Sequence, residues 1–318
     1  MLKNHYDLVI LGGGPAGLSA GLYAARARLD HVIIEKGAPG GQVLNTDWVD
    51  NYPGFPEGLS GFDLAEKMTE HAKRFDVNIQ YGEVSCVDLR DENNKVLRMA
   101  DGSDVRCHTL IICTGARPNT LNVPGEIDFR GKGVSYCGTC DAPFYRNVQV
   151  AVIGGGDTAV EEAEYLTRFA RKVTVIHRRD QLRATKITQE IAYANEKIDF
   201  IWNSRVTSIE GDTGVQKVQL VDNDGNTSSL AVEGVFILIG ITPNNSCLPL
   251  TLLKADQWGF IPVDTECRTA VPGVMAAGDI VSKNVRQVVN AAGEGAVAML
   301  AAESYLIRLK ERKIGMTE

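Results

Sequence analysis

Short, almost wholly apolar runs alternate along this chain with longer alanine- and leucine-rich stretches. The first run is Asp7-Leu8-Val9-Ile10-Leu11. A strand with no polar face is expected inside a parallel sheet that is covered on both sides. The turn Gly12-Gly13-Gly14-Pro15-Ala16-Gly17 follows, then a helix expected from Pro15 to Arg28, then a second apolar run, His31-Val32-Ile33-Ile34-Glu35. The same order recurs later. Val148 to Ile153 reads as a strand and Gly154-Gly155-Gly156-Asp157-Thr158-Ala159 as the turn. A helix continues through Leu166, and Lys172-Val173-Thr174-Val175-Ile176 is the next strand.

Strand, glycine turn, helix and strand together predict an α/β protein with two Rossmann-like dinucleotide-binding domains. In the first turn, Gly12, Gly14 and Gly17 satisfy the G-x-G-x-x-G spacing. The glycines allow a tight turn and let backbone approach a pyrophosphate, while the helix N-terminus offers unpaired N–H groups. Glu35 closes the second strand where a ribose hydroxyl needs an acceptor, so this unit is expected to hold FAD. In the second turn Gly154 and Gly156 keep the pattern and Ala159 takes the third place, where only a small side chain is needed. Here the second strand ends in His177-Arg178-Arg179, with Arg183 close behind. A carboxylate at that place would repel a 2′-phosphate, whereas guanidinium groups bind it, so NADPH is expected here. A basic run is otherwise most often a solvated turn. Its position after the second strand favours the phosphate.

Breaks at Thr114-Gly115-Ala116-Arg117-Pro118-Asn119 and Gly240-Ile241-Thr242-Pro243-Asn244 bracket the second nucleotide unit. The first domain is therefore expected to be split, as residues 1–117 and 246–318, with the second inserted at 118–245. Another short strand ends in glycine and acid at Ala277-Gly278-Asp279.

The remaining chemistry lies at Cys137-Gly138-Thr139-Cys140-Asp141. Two cysteines spaced in this way at a turn entering a helix can close a small reducible disulfide, and Asp141 can hold and donate a proton as it opens. The pair also fits half of a zinc site or two structural thiols. No second cysteine or histidine pair has ligand spacing, so no metal is expected, and beside two dinucleotide units the redox reading is the stronger. The other five of the seven cysteines are scattered and read as ordinary thiols. A net charge of -7 without a sustained basic run argues against a nucleic-acid partner. The N-terminus enters the first strand without a leader pattern, and no apolar run is long enough for a bilayer, so a cytoplasmic, non-membrane protein is expected.

Taken in order, Gly12–Gly17, Gly40-Gly41-Gln42, Cys137–Asp141, Gly154–Ala159, His177-Arg178-Arg179-Asp180 with Arg183-Ala184, and Ala277-Gly278-Asp279 with Arg286-Gln287 resemble the low-molecular-weight thioredoxin reductases over essentially the whole chain. The resemblance implies a homodimer that passes electrons from NADPH through FAD to the cysteine pair and on to thioredoxin or a thioredoxin-like protein. It places Gly40, Gly41, Gln42 and Asn51 near the flavin or its ribityl chain, with Asp279 on the ribityl hydroxyls and Arg286 and Gln287 near the ring. Thr114, Gly115 and Gly278 complete the expected FAD set. Asp157 and Thr158 join the NADPH set. Cys140 would face the flavin and Cys137 would attack thioredoxin, and the inserted domain would swing about its two linkers. Gly138 departs from the alanine more often found there, and Ala142-Pro143 from a more common glycine-phenylalanine. A ferredoxin-fed or oxidase relative would erode the second glycine turn or its arginines, and a sensor would carry an output module. None of these features is present.

Overall fold

A computed structural model describes residues 2–46, 48–92 and 94–315. The chain begins with β1 (His5–Leu11), α1 (Pro15–Arg26), β2 (His31–Glu35), a 3-10 turn at Gly41–Asn45 and α2 (Gly61–Arg74). It continues through β3 (Ile79–Tyr81), β4 (Val84–Asp88), β5 (Lys95–Met99), β6 (Asp104–Ile112) and β7 (Ala116–Pro118). Next come β8 (Val134–Ser135), α3 (Gly138–Asp141), a 3-10 turn at Ala142–Tyr145, β9 (Gln149–Ile153), α4 (Asp157–Leu166), β10 (Lys172–Ile176) and α5 (Lys186–Ala194). The strands β11 (Ile198–Ile201), β12 (Ser204–Gly211), β13 (Val215–Asp222), β14 (Thr227–Ala231) and β15 (Gly234–Ile237) follow. The last elements are β16 (Ile241–Pro243), β17 (Val274–Ala276) and α6 (Val288–Gly315).

Two compact units result, residues 1–117 with 242–318 and residues 118–241. The second crossing falls four residues earlier than the expected 245/246 boundary. The reason is hydrogen bonding: the Asn244 N–H donates to Gly115 O at 2.9 Å and its side chain to Thr114 O at 2.9 Å, while Asn245 Nδ2 donates to Gly259 O at 2.8 Å. These bonds tie Asn244 and Asn245 to the first unit. The chain passes between units through β7 and β16, which pair as a short two-stranded ribbon.

In the first unit the strand order is β3-β2-β1-β6-β5-β4, with β17 also paired to β6. Strands β3, β2, β1, β6 and β17 run parallel, and β4 and β5 add an antiparallel edge. The continuous apolar character of β1 is explained by cover on both faces. Leu8 and Ile10 pack with Ala16, Leu18 and Ala298 of α1 and α6, while Val9 and Leu11 join Val87, Leu97, Leu253 and Ile261 on the other face. The helix α1 stops two residues short of the expected Arg28, which takes a left-handed φ of 58° and breaks the helical path.

In the second unit the order β11-β10-β9-β15-β8 is parallel throughout. One face carries α4, through Val160, Ala163 and Leu166. The other packs on the three-stranded antiparallel sheet β12-β13-β14, through Val206, Ile209, Val218 and Leu220. The α/β class with two Rossmann-like parallel sheets is thus the architecture of the chain. Among the described residues no helix is long and apolar enough to cross a membrane.

Candidate active site

In the first unit the glycine turn is built by contact with its own fold. A Cβ on Gly12, whose φ is +108°, would lie 2.3 Å from Cys113 O, and one on Gly17 would lie 1.9 Å from Gly12 O. Those two glycines are demanded by close packing of turn, helix and strand. Gly14 differs: the nearest atom to its Cβ position is Gly41 Cα at 3.9 Å, so that side of the turn is open. Pro15 opens α1 and Ala16 lies buried behind the turn. Glu35 accepts the Gly13 N–H at 2.6 Å and the Gly37 N–H at 2.8 Å, which holds its carboxylate against the turn.

Residues distant in sequence meet at this turn. Gly40 donates its N–H to Gly13 O at 2.8 Å, and Gly41, at φ +60°, would bring a Cβ to 3.1 Å from Gly14 Cα. Gln42 continues the 3-10 turn that starts at Gly41. Asn51 Nδ2 donates to Gln287 Oε1 at 3.0 Å, so the segment before α2 is tied to the residue before α6. Gly278 packs its Cα face on Ala16, with a Cβ position 3.1 Å from Ala16 Cβ, and donates its N–H to Glu294 Oε2 at 2.8 Å. Beside it, burial pushes the Asp279 carboxyl up, while the charges of Lys283 and Arg286 pull it down. Two buried polar atoms, Thr114 Oγ1 and Arg286 Nε, have no hydrogen-bond partner among the described residues. Next to them Gly115 takes a φ of +70°. An open glycine turn flanked by unpartnered buried donors is a cradle for a polar ligand.

The second unit repeats this design with different chemistry. A Cβ on Gly154 would lie 2.5 Å from Leu238 O and from Ala159 Cβ, whereas Gly156 meets nothing nearer than an Arg183 guanidinium nitrogen at 3.9 Å. Again the outer positions are packed and the middle one is open. Asp157 and Thr158 are exposed at the start of α4, and Asp157 accepts the Thr185 N–H at 2.7 Å. The Arg183 N–H donates to Gly155 O at 2.7 Å, so the segment after β10 is laced to the glycine turn. Arg178, Arg179 and Arg183 are exposed, and no ion pair engages them among the described residues. His177 behaves otherwise. It is 5% exposed, its ring sits where a Cβ on Gly155 would fall, at 2.4 Å, and it meets Trp202 edge-on. Burial and then the charges of Arg183 and Arg179 push its pKa down. A neutral ring packed under the turn shapes the site but adds no charge to it, unlike the three arginines.

Cys137 and Cys140 form a disulfide, with Cα atoms 5.3 Å apart, at the start of α3. Cys137 is the N-cap, and its Sγ accepts the Cys140 N–H at 3.2 Å. The carboxylate of Asp141 accepts the Ser135 hydroxyl at 2.6 Å, and the same hydroxyl oxygen accepts the Cys137 N–H at 3.1 Å. Ser135 thus fixes Asp141 and the disulfide in one network. Sequence reasoning did not single out Ser135. Nor did it find Glu126, which is 1% exposed and accepts the N–H groups of Leu121 and Asn122 and the Tyr136 hydroxyl at 2.8 Å. A lone acid in a turn and a serine closing a two-residue strand carry no periodic or spacing signal.

The other cysteines are chemically distinct. Cys86, Cys107, Cys113, Cys247 and Cys267 are free thiols. Burial pushes Cys107 up to about 12 and Cys267 up to about 11, which keeps both protonated at neutral pH. Among the described residues no group of three or more His, Cys, Asp or Glu side chains is placed to hold a metal ion.

Two dinucleotide-type folds, the second bearing a closed Cys-x-x-Cys disulfide against the helix that its glycine turn opens, define a nucleotide-dependent disulfide oxidoreductase. The chain belongs to the pyridine nucleotide-disulphide oxidoreductase family, whose model matches residues 6–295. It is 46% identical over 310 residues to a thioredoxin reductase of Listeria monocytogenes, covering 96% of this chain and 95% of that one. It is 44% identical over 308 residues to the thioredoxin reductase of Bacillus subtilis, covering 96% of each. The crystal structure of thioredoxin reductase from Streptococcus pyogenes superposes with a TM-score of 0.91 at 45% identity, over 96% of this chain and 100% of that one.

Proposed function

We propose that the chain is a thioredoxin-disulfide reductase that passes electrons from NADPH by way of FAD to the Cys137–Cys140 disulfide, and from there to the disulfide of thioredoxin or a thioredoxin-like protein. The observation that carries this reading is the closed Cys137–Cys140 disulfide in the same unit as the second glycine turn.

Both cofactors suit the residues present. The open side of Gly14 and the unpartnered Thr114 Oγ1 and Arg286 Nε fit FAD in the first unit, and the open side of Gly156 with Arg178, Arg179 and Arg183 fits NADPH in the second. Bound FAD supplies a ring that takes a hydride from a nicotinamide and gives electrons to sulfur. The chain's own part is orientation and proton handling. Gly12, Gly14, Pro15, Ala16 and Gly17 present backbone to a pyrophosphate, with Glu35 as acceptor for a ribose hydroxyl. Gly40, Gly41, Gln42, Asn51, Gly115, Gly278, Asp279 and Gln287 line the rest of that cradle. In the second unit Gly154, Gly156, Asp157, Thr158 and Ala159 take the pyrophosphate, and His177 supports the turn from beneath. Asp141, held by Ser135, carries the proton to or from sulfur as the disulfide opens and closes.

The purified protein is expected to be yellow, with its flavin absorbance bleached anaerobically by stoichiometric NADPH. Colourless protein after reconstitution with FAD, or flavin that NADPH leaves oxidised, overturns this reading.

A homodimer is part of the same proposal. It is supported by the exposed apolar residues Val289, Val297, Leu300 and Ile307, which their spacing sets on one face of α6. Light scattering is expected to give twice the chain mass for the native protein and a smaller average mass for Leu300→Lys with Ile307→Lys. A monomeric native protein removes this part.

A further inference from the structure

The helix α4 carries a carboxyl that the proton handling described above does not use. Glu162 Oε2 accepts the N–H of Gly138, the residue that follows Cys137 in the disulfide ring. Gly138 is not in the left-handed region of backbone space, so no turn geometry demands a glycine there. Space demands it: a Cβ at 138 would lie 2.6 Å from Glu162 Oε2 and 3.2 Å from Glu162 Cβ. The glycine is what lets the carboxyl reach the amide.

Two carboxyls from different elements therefore address one short turn. Asp141 belongs to α3 and is held by Ser135, and Glu162 rises from α4 to the Gly138 amide. Burial pushes the Glu162 pKa up, the Gly138 N–H pulls it down, and the negative charges of Asp141 and Glu161 push it up again. The 3-10 turn Ala142–Tyr145 packed next to α3 adds the Tyr145 phenol and no charged side chain. Of the other elements packed on α4, α5 brings Lys186 and Glu190, β10 brings Lys172 and β9 no charged side chain, while the charges that bear on the Glu162 carboxyl are those of Asp141 and Glu161.

We propose that Glu162 is a positioning residue of the redox centre: seated on the Gly138 amide, its carboxylate keeps a negative charge beside Cys137 and Cys140 and favours the protonated dithiol over a thiolate once the disulfide opens. The proposal rests on the reading of this pair as the redox centre. Opening breaks the S–S bond, adds two electrons delivered by the reductase reaction, and takes up two protons, one on each sulfur. A fixed carboxylate nearby raises the free energy of any sulfur left unprotonated and so strengthens proton uptake. Glu162 acts through charge and through the amide, without touching sulfur.

The test is a thiolate titration of the reduced holoenzyme. Dithiothreitol opens the disulfide, the reductant is removed anaerobically, and iodoacetamide alkylation is followed over about pH 5 to 10. Three proteins are compared: the native chain, Glu162→Gln and Gly138→Ala. Glutamine keeps an acceptor for the Gly138 amide but carries no charge, and its alkylation midpoint is expected about one pH unit lower than native. Alanine at 138 pushes the flexible end of Glu162 off the amide, and a smaller fall in the same direction is expected. An unchanged or higher midpoint in Glu162→Gln overturns the proposal. If that variant does not hold its flavin, Gly138→Ala decides in the same way. Because dithiothreitol rather than NADPH opens the disulfide, failure of the NADPH relay would show as flavin left oxidised and would not alter this titration.

Discussion

Replacing Cys140 by serine is expected to lower turnover on a thioredoxin disulfide by on the order of 10⁴-fold or more, while NADPH still bleaches the flavin. A hydroxyl oxygen cannot form the reducible bond to Cys137, so electrons delivered by NADPH have no sulfur acceptor within the chain. The three buried thiols do not substitute. Cys107 and Cys267 are kept protonated by burial, with values pushed to about 12 and about 11, and Cys113 is pushed up by burial as well. Cys137→Ser is expected to give the same separation, since the bond needs both partners. Anaerobic flavin absorbance and NADPH consumption with thioredoxin measure the two halves independently. Full turnover by either serine variant would mean that electrons leave by another route, and the disulfide would lose its assigned role.

The second large effect concerns the choice of nucleotide. Arg178→Ala combined with Arg179→Ala is expected to raise the KM for NADPH by about 100-fold, with kcat and the NADH reaction changed by about twofold or less. Each guanidinium is exposed just after β10 and engaged by no ion pair among the described residues, so each is available to a 2′-phosphate. A charge-assisted contact of this kind contributes about 1.5 kcal/mol, and two of them account for the 100-fold ratio. Steady-state kinetics with both nucleotides reads it directly. A KM that rises equally for NADPH and NADH would place the two arginines on a feature common to both molecules. His177 belongs to a different case. Its ring is buried against Gly155 with a lowered pKa, so His177→Ala would remove support for the turn and weaken both nucleotides alike.

Most of the frame was legible without coordinates. The strands β2 and β10 have the bounds that their apolar runs predict, and both glycine turns open the helices expected of them. These features are local. A strand buried on both faces must be apolar throughout, and a turn that touches its own helix and strand must be glycine or alanine, so each requirement is written within a few residues. The family resemblance extended the reading to residues with no local pattern. Asn51 and Gln287 share a hydrogen bond although 236 positions separate them, and Gly40 and Gly41 lie against the first glycine turn.

The amino-acid order alone therefore determined the two dinucleotide folds, the insertion of one in the other, and the cysteine pair, because periodicity and close packing act over short spans. Only the tertiary structure decided which polar side chains stand around that chemistry. It assigned Asn244 and Asn245 to the first unit through bonds to Thr114, Gly115 and Gly259, buried His177 beneath the second turn, and brought Glu162 of α4 to the Gly138 amide. The physical reason is that a hydrogen bond between distant residues needs a donor and an acceptor to meet in space, and no spacing rule in the chain records where two packed elements bring them together.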